Sequence, residues 1–324
     1  MHYMQKEANM SQFKTKVFID GSEGTTGLRI RERLSERTDI DLLKISDESK
    51  RKDKDTRKEY INKADIVFLC LPDDAARESV SLCENDHTVI IDASTAHRTL
   101  SDWAYGFAEL SSDFRKKIAS SKRIAVPGCH ASGFAAIVYP LVKNGVISPE
   151  TNVSCFSLTG YSGGGKKMIN SYENEKTESL YSPGIYALEQ THKHLKEMKA
   201  ICGLEKEPIF SPIVDDYYSG MLVTVPLFAS DMKKALGKNE LHEMYASHYA
   251  NESIVKVRPA DEGIKLVYAN EKTSYDNMII TVTGNDDRMC IHATFDNLGK
   301  GASGAAIQCM NIALGLDEGT GLNL

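Results

Sequence analysis

Short apolar runs alternate with helical periodicity through the first 130 residues. Residues 16–19 (KVFI) form an apolar run, followed by a glycine-rich turn and then a helical pattern over 28–36, with Ile30 and Leu34 four apart. Further runs occupy 42–45, 66–71 (IVFLCL, ended by Pro72-Asp73-Asp74), 89–92 and 123–126, the last ended by Pro127-Gly128. Residues 131–142 then read as a helix. Near-continuous apolar strands separated by helices predict a parallel sheet covered on both faces, so the expected fold class is α/β, a doubly wound Rossmann-type domain.

Beyond about residue 150 the pattern changes. Residues 152–158, 220–227, 254–258, 278–283 and 289–295 are β-rich, several of them alternating, which suits antiparallel pairing. Helices are expected at about 166–178 and 232–249, so this half reads as a second, α+β domain. The stretch 301–314 is helical again and is expected to pack back onto the first domain.

A chain of 324 residues is comfortable for two domains, and 41% hydrophobic with 26% charged residues is ordinary for a soluble protein. A formal net charge of −6 argues against nucleic-acid binding by bulk electrostatics. The seven cysteines are scattered without a C-x-x-C pair, so neither a disulfide framework nor a zinc site is expected and no metal is assigned; a reducing cytosol fits. No apolar run approaches the ~20 residues of a membrane span. The opening MHYMQKEANMSQFK lacks a signal-peptide core and reads as a loose leader.

Two glycine-rich turns are candidates for phosphate binding. DGSEGTTGLRI follows the first strand and opens the first helix, with Gly21, Gly24 and Gly27 spaced G-x-x-G-x-x-G, which departs from G-x-G-x-x-G. Glycines there let the backbone approach a pyrophosphate, and the helix start supplies N–H groups. Ser22, Glu23, Thr25 and Thr26 lie in the same turn. Asp47, 20 residues past Gly27, suits the ribose hydroxyls of NAD, whereas Lys50, Arg51 and Lys52 suit a 2′-phosphate; NADP is the expected nucleotide, with Ser46 and Arg51 at its ribose end. The second turn, TGYSGGGKKM, offers Ser162, Gly163, Gly164 and Lys166 to a phosphate or nicotinamide.

Cys129 lies in VPGCHASGF at the strand-to-helix junction, where the helix dipole favours thiolate over thiol. The alternative is a small buried hydrophobe, as most free cysteines are. An acyl-transfer nucleophile needs a base and a place for the developing oxyanion. THKHLKEM supplies His192 and His194, which share one side if the segment is extended, and Glu197 to orient a ring. DASTAHRT follows the fourth strand, placing Ser94 and Arg98 at the carboxyl edge of the sheet as candidate substrate contacts.

Taken together, DGSEGTTGLRI, FLCLPDDAARE, IDASTAHRT, VPGCHASGF, GYSGGGKKMI, THKHLKEM and DNLGKGASGAA closely resemble the shorter N-acetyl-gamma-glutamyl-phosphate reductases, relatives of the aspartate-semialdehyde and glyceraldehyde-3-phosphate dehydrogenases. The resemblance implies an NADP-binding domain over 1–128 plus 300–324 and a catalytic and dimerisation domain over 129–299. It also implies a cytoplasmic homodimer or homotetramer acting on a small acyl phosphate. The implied reaction has Cys129 forming a thioester that NADPH reduces, with His194 favoured over His192 for acid/base work. One departure is Lys196, where the family pattern H-x-H-x-P-E has proline, which is expected to loosen the local turn. An aspartate-semialdehyde dehydrogenase, or a dinucleotide-binding regulator without catalysis, is the alternative.

Overall fold

The computed structural model of the chain describes residues 14–260 and 263–324; the proposed leader, apart from Lys14, lies outside the described residues. The first half builds a six-stranded parallel sheet from β1 (Thr15–Asp20), β2 (Ile40–Leu43), β3 (Ile66–Leu69), β4 (Val89–Asp92), β5 (Ala104–Tyr105) and β6 (Arg123–Ala125), in the order β2-β1-β3-β4-β6-β5. Its alternate side chains feed two cores. Val17, Ile19, Phe68 and Ile91 pack on one side, Phe18, Val67, Leu69 and Ile90 on the other. This two-sided burial is why the strands read as unbroken apolar runs.

Helix α1 (Thr25–Ser35) lies on the first of those faces with Ile30 and Leu34 buried. Helices α2 (Lys54–Lys63) and α3 (Asp73–Leu82) cover the other through Ile61, Ala76 and Leu82. Helix α4 (Ser112–Ser120) then precedes β6. The predicted 301–314 helix starts later, as α9 (Gly304–Ala313), after a π turn over Gly299–Ser303, and it packs on the face of α1 through Ala305, Ala306 and Met310.

The nucleophile candidate opens α5 (Cys129–Lys143), whose residues are buried on nearly every side. Pro140 sits inside it and has no N–H, so the Ala136 carbonyl needs another donor. The Tyr249 hydroxyl supplies it at 2.7 Å, and Tyr245 donates to the Ile137 carbonyl at 2.7 Å. The proline is tolerated because the Tyr249 hydroxyl takes the place of the missing N–H.

The remaining elements are β7 (Ser154–Gly160), α6 (Gly165–Glu173), β8 (Gly184–Ile185), α7 (His194–Cys202), β9 (Ile209–Asp215), β10 (Met221–Phe228), α8 (Lys238–His248), β11 (Val255–Val257), β12 (Met278–Gly284) and β13 (Arg288–Phe295). They form a seven-stranded sheet in the order β11-β12-β13-β10-β7-β9-β8. The expected all-antiparallel pairing is corrected: β7 with β9 and β11 with β12 run parallel. Helix α8 also starts six residues later than expected, because Gly237 is its true start and the Glu240 carboxylate accepts the Gly237 N–H at 2.9 Å. Among the described residues no helix is long and apolar enough to cross a membrane.

Candidate active site

Two cavities join along the carboxyl edge of the parallel sheet. The first, of about 800 Å³, reaches from the start of α1 to Cys129; the second, of about 870 Å³, is lined by the ends of β1 and β2. Gly24, Cys70, Leu71 and Pro72 border both. This edge is where open α/β sheets bind ligands, next to the point between β1 and β3 where strand order reverses.

Gly21 has φ +88°, and a Cβ there would collide with the Cys70 carbonyl oxygen. The turn therefore lies flat against the end of β3. Gly24 precedes α1 without any side-chain cap, so the first amides of Thr25, Thr26 and Gly27 border the cavity with no side-chain acceptor of their own. That bare helix start, on a turn with no bulk, fits a dinucleotide pyrophosphate. Gly21, Ser22, Glu23, Ser46 and Arg51 line the second cavity. Asp47 does not: its carboxylate accepts from the Ser49 amide at 3.0 Å and hydroxyl at 2.7 Å and so caps the turn that follows. Lys50 also lies outside the lining, whereas Arg31 and Lys52 join it. Arg31 and Arg51 both pair with Glu23, at 3.3 and 3.2 Å.

Cys129, Arg98, Ser94, Ser162, Gly163, Gly164, His192 and His194 all border the first cavity, though the sequence spreads them over about a hundred positions. Lys166 does not; it is exposed near the start of α6. Ser94 is buried and donates to Asp92 at 2.7 Å, so it braces the loop after β4. Ser162 accepts from Asn297 at 3.0 Å.

Glu197 corrects another expectation, because it orients no histidine ring. One carboxylate oxygen accepts the Gly128 amide at 2.8 Å and the Tyr105 hydroxyl at 2.9 Å; the other accepts from Arg98 at 3.0 Å. Arg98 in turn donates to the Val126 carbonyl at 2.8 Å and the Ala93 carbonyl at 3.0 Å. Both side chains are buried, and together they clamp the turn that presents Cys129.

His194 opens α7, and a Cβ on Gly128 would collide with both its Nε2 and the Arg98 guanidinium. That nitrogen therefore lies against the peptide preceding Cys129, while Nδ1 is buried without a partner among the described residues. The His192 ring is 4.6 Å from that of His194, so the helix start brings together two rings that an extended segment was expected to align. The His194 amide donates to His192 Nδ1 at 3.2 Å, which leaves the neutral ring's proton on Nε2. Lys196 is exposed in the first turn of α7, which forms intact without the family's proline.

Burial raises the Cys129 thiol above its usual range, against the opposing pull of Arg98 and the His130 amide. This corrects the expected thiolate: desolvation outweighs the helix start. Burial and the charge of Arg98 hold His194 well below the ordinary imidazole value, and burial and Lys193 lower His192. The resting pair is therefore a neutral thiol beside neutral imidazoles.

Three contributors escaped the sequence reading. His130 follows Cys129 directly, and its ring lies 5.6 Å from His194 and 6.0 Å from His192. Tyr186 and Lys193 also border the cavity. Adjacency to the cysteine was the only signal for His130; the topology supplies the rest. Among the described residues no group of three or more side chains is arranged to hold a metal.

Residues 16–119 match the family model described as the semialdehyde dehydrogenase NAD binding domain, and 129–297 the one described as its dimerisation domain. N-acetyl-gamma-glutamyl-phosphate reductases from Brucella ovis and Brucella melitensis are 45% identical over 309 residues, covering 93% of this chain and 99% of each relative. Among solved structures, aspartate semialdehyde dehydrogenase II from Vibrio cholerae superposes with TM-score 0.70 at 14% identity, covering 94% of this chain and 99% of that one. A probable aspartate-semialdehyde dehydrogenase from Pseudomonas aeruginosa gives TM-score 0.71 at 12% identity, covering 93% and 99%; at such identities the likeness is one of fold. With both sheets matched and near-complete coverage by the Brucella enzymes, the chain belongs to the semialdehyde dehydrogenase family and, within it, to the N-acetyl-gamma-glutamyl-phosphate reductases.

Proposed function

We propose that this chain reduces N-acetyl-glutamyl 5-phosphate to the 5-semialdehyde and phosphate, with Cys129 as nucleophile and His194 as its acid/base partner. One observation carries the reading: a thiol at the start of a buried helix, an imidazole against the preceding peptide and a bare helix start share one cavity. Cys129 gives its proton to His194 Nε2 and its sulfur bonds to the acyl carbon. The carbon–oxygen bond to phosphate then breaks, and phosphate leaves with the electron pair. When bound, the reduced nicotinamide supplies the hydride that converts the resulting thioester to a hemithioacetal. That adduct collapses to aldehyde and thiolate, which recovers its proton from His194.

Arg98 and Glu197 act by holding the nucleophile's turn. Lys193, which borders the cavity and makes no hydrogen bond or ion pair to the described residues, is the cation available to an anionic substrate. NADP is the nucleotide this site suits, because Arg31, Arg51 and Lys52 line the ribose end while Asp47 is occupied elsewhere. Residues 1–128 with 300–324 would carry the nucleotide and 129–299 the chemistry. A homodimer is proposed through the outer face of the seven-stranded sheet, where Phe156, Ile209 and Phe228 are 47, 65 and 55% exposed on adjacent strands. Free thiols throughout suit a reducing cytoplasm.

The test is to run the reaction backwards, following nicotinamide absorbance with N-acetyl-glutamate 5-semialdehyde, phosphate and NADP. Parallel reactions contain aspartate semialdehyde, or NAD. Phosphate-dependent reduction of NADP with the acetylated substrate is the expected result. Signal with aspartate semialdehyde alone would make the chain a dehydrogenase of that substrate, and nucleotide binding without turnover would make it a non-catalytic regulator.

A further inference from the structure

Beside the thiol lies a hydrogen-bonded line of three side chains that the mechanism above leaves unused. His130 Nδ1 is 2.6 Å from the Ser157 hydroxyl, and its Nε2 is 2.7 Å from the Tyr186 hydroxyl. Ser157 is fully buried, and its hydroxyl has only His130 as a partner among the described residues. The Tyr186 hydroxyl likewise has only His130, yet Tyr186 borders the cavity that contains Cys129.

Counting hydrogens fixes the direction of this line. Burial lowers His130 to about 3, so the ring is neutral and carries one proton. Were that proton on Nδ1, it would point at Ser157 and leave the serine's own hydrogen buried without an acceptor. With the proton on Nε2, Ser157 donates to Nδ1 and Nε2 donates to the Tyr186 oxygen, so the serine and the imidazole are both satisfied. The tyrosine's hydrogen then has no acceptor in the protein and is left for the cavity.

The loop holding Tyr186 is built to stay in place. Ala187 and Gln190 both adopt left-handed conformations, with φ of 53° and 55°. Gln190 is fixed by two bonds to the Phe210 backbone, at 2.8 and 2.9 Å, and the Tyr186 amide donates to the Pro212 carbonyl at 3.1 Å.

Building on the reductase reading, we propose that the Tyr186 hydroxyl donates a hydrogen bond to the acyl oxygen that becomes an oxyanion at Cys129, and that His130 and Ser157 are positioning residues that aim its proton. No covalent bond is made or broken by these three; they stabilise charge that develops on the substrate.

Two measurements test this. In histidine nitrogen NMR of the whole protein, His130, assigned by the signal lost in His130→Gln, should be the Nε2–H tautomer, and Ser157→Ala should shift it toward Nδ1–H. An Nδ1–H ring in the wild type would overturn the proposal. In kinetics, Tyr186→Phe should lower kcat on the order of 100-fold, with the KM for NADPH and the thermal midpoint unchanged. Ser157→Ala should lower kcat in the same sense but less. A folded Tyr186→Phe within about twofold of wild-type kcat would overturn the proposal, and if that variant fails to fold, an unchanged kcat in Ser157→Ala does so. A wild-type chain inactive on the acyl phosphate would count against the reductase reading instead, while the tautomer would still judge the hydrogen-bonded line.

Discussion

At the residue scale the site works from neutral partners. Burial raises Cys129 and lowers His194, so the thiol stays protonated at pH values below its raised pKa and the imidazole stays uncharged above its lowered one. Alkylation of Cys129 by iodoacetamide should therefore climb steadily from about pH 7 into the alkaline range, with no plateau near neutrality. A plateau there would mean a preformed thiolate–imidazolium pair. The basic residues divide by what already occupies them. Arg98 is engaged by Glu197 and two carbonyls, so Arg98→Lys should mainly lower kcat by loosening the nucleophile's turn. Lys193→Met should mainly raise the KM for the acyl phosphate; steady-state kinetics with both variants separates the two roles. That Cys129 was a nucleophile candidate could be read from one short stretch, an apolar strand stopped by Pro127-Gly128. Its raised pKa, and Glu197 reaching Arg98 and Tyr105 instead of a histidine, depend on burial and long-range contact that no local pattern encodes.

At the element scale α5 is the part that must not move. It lies on the seven-stranded sheet through Gly133, where a Cβ would stand 2.5 Å from Val223 and 2.8 Å from Phe295. Gly133→Ala should push the helix outward, costing about 1–3 kcal/mol and displacing the Cys129 end. A lower urea midpoint together with reduced kcat is expected; an unchanged midpoint would show that the helix can shift freely. Five of the six parallel strands and α1 were legible because burial on two faces and a glycine turn leave a local signature, whereas the two-residue β5 was not. Nor was β9, whose IFSPIVD carries Pro212. It forms because β7 pairs along its length and β8 is only two residues long.

At the scale of the whole molecule, buried ion pairs join the two sheets' surroundings. Arg33 on α1 pairs with buried Asp276 at 2.7 Å, and buried Arg98 pairs with Glu197 at 3.0 Å, so the nucleotide end and the thiol end share a fixed frame. The proposed dimer leaves this frame intact and covers the outer sheet face. Phe156 lies opposite Thr224, which lies opposite His292, so one charged substitution falls in the middle of that face. Phe156→Asp should convert a dimer to monomers in sedimentation while secondary structure is retained. A wild-type monomer would remove the interface. The sequence showed two textures meeting near residue 150, but not that the cavity forms where their edges meet, because that depends on how the sheets dock.

The covalent step is the most direct test. Protein mixed with N-acetyl-glutamyl 5-phosphate and no nicotinamide nucleotide should release phosphate in a burst matching the enzyme concentration. Peptide mass spectrometry should then locate the N-acetylglutamyl group on Cys129, and Cys129→Ser should show neither burst nor adduct while still binding NADP. A wild-type enzyme that reduces the substrate without a burst, or an equal burst from Cys129→Ser, would contradict the thioester mechanism.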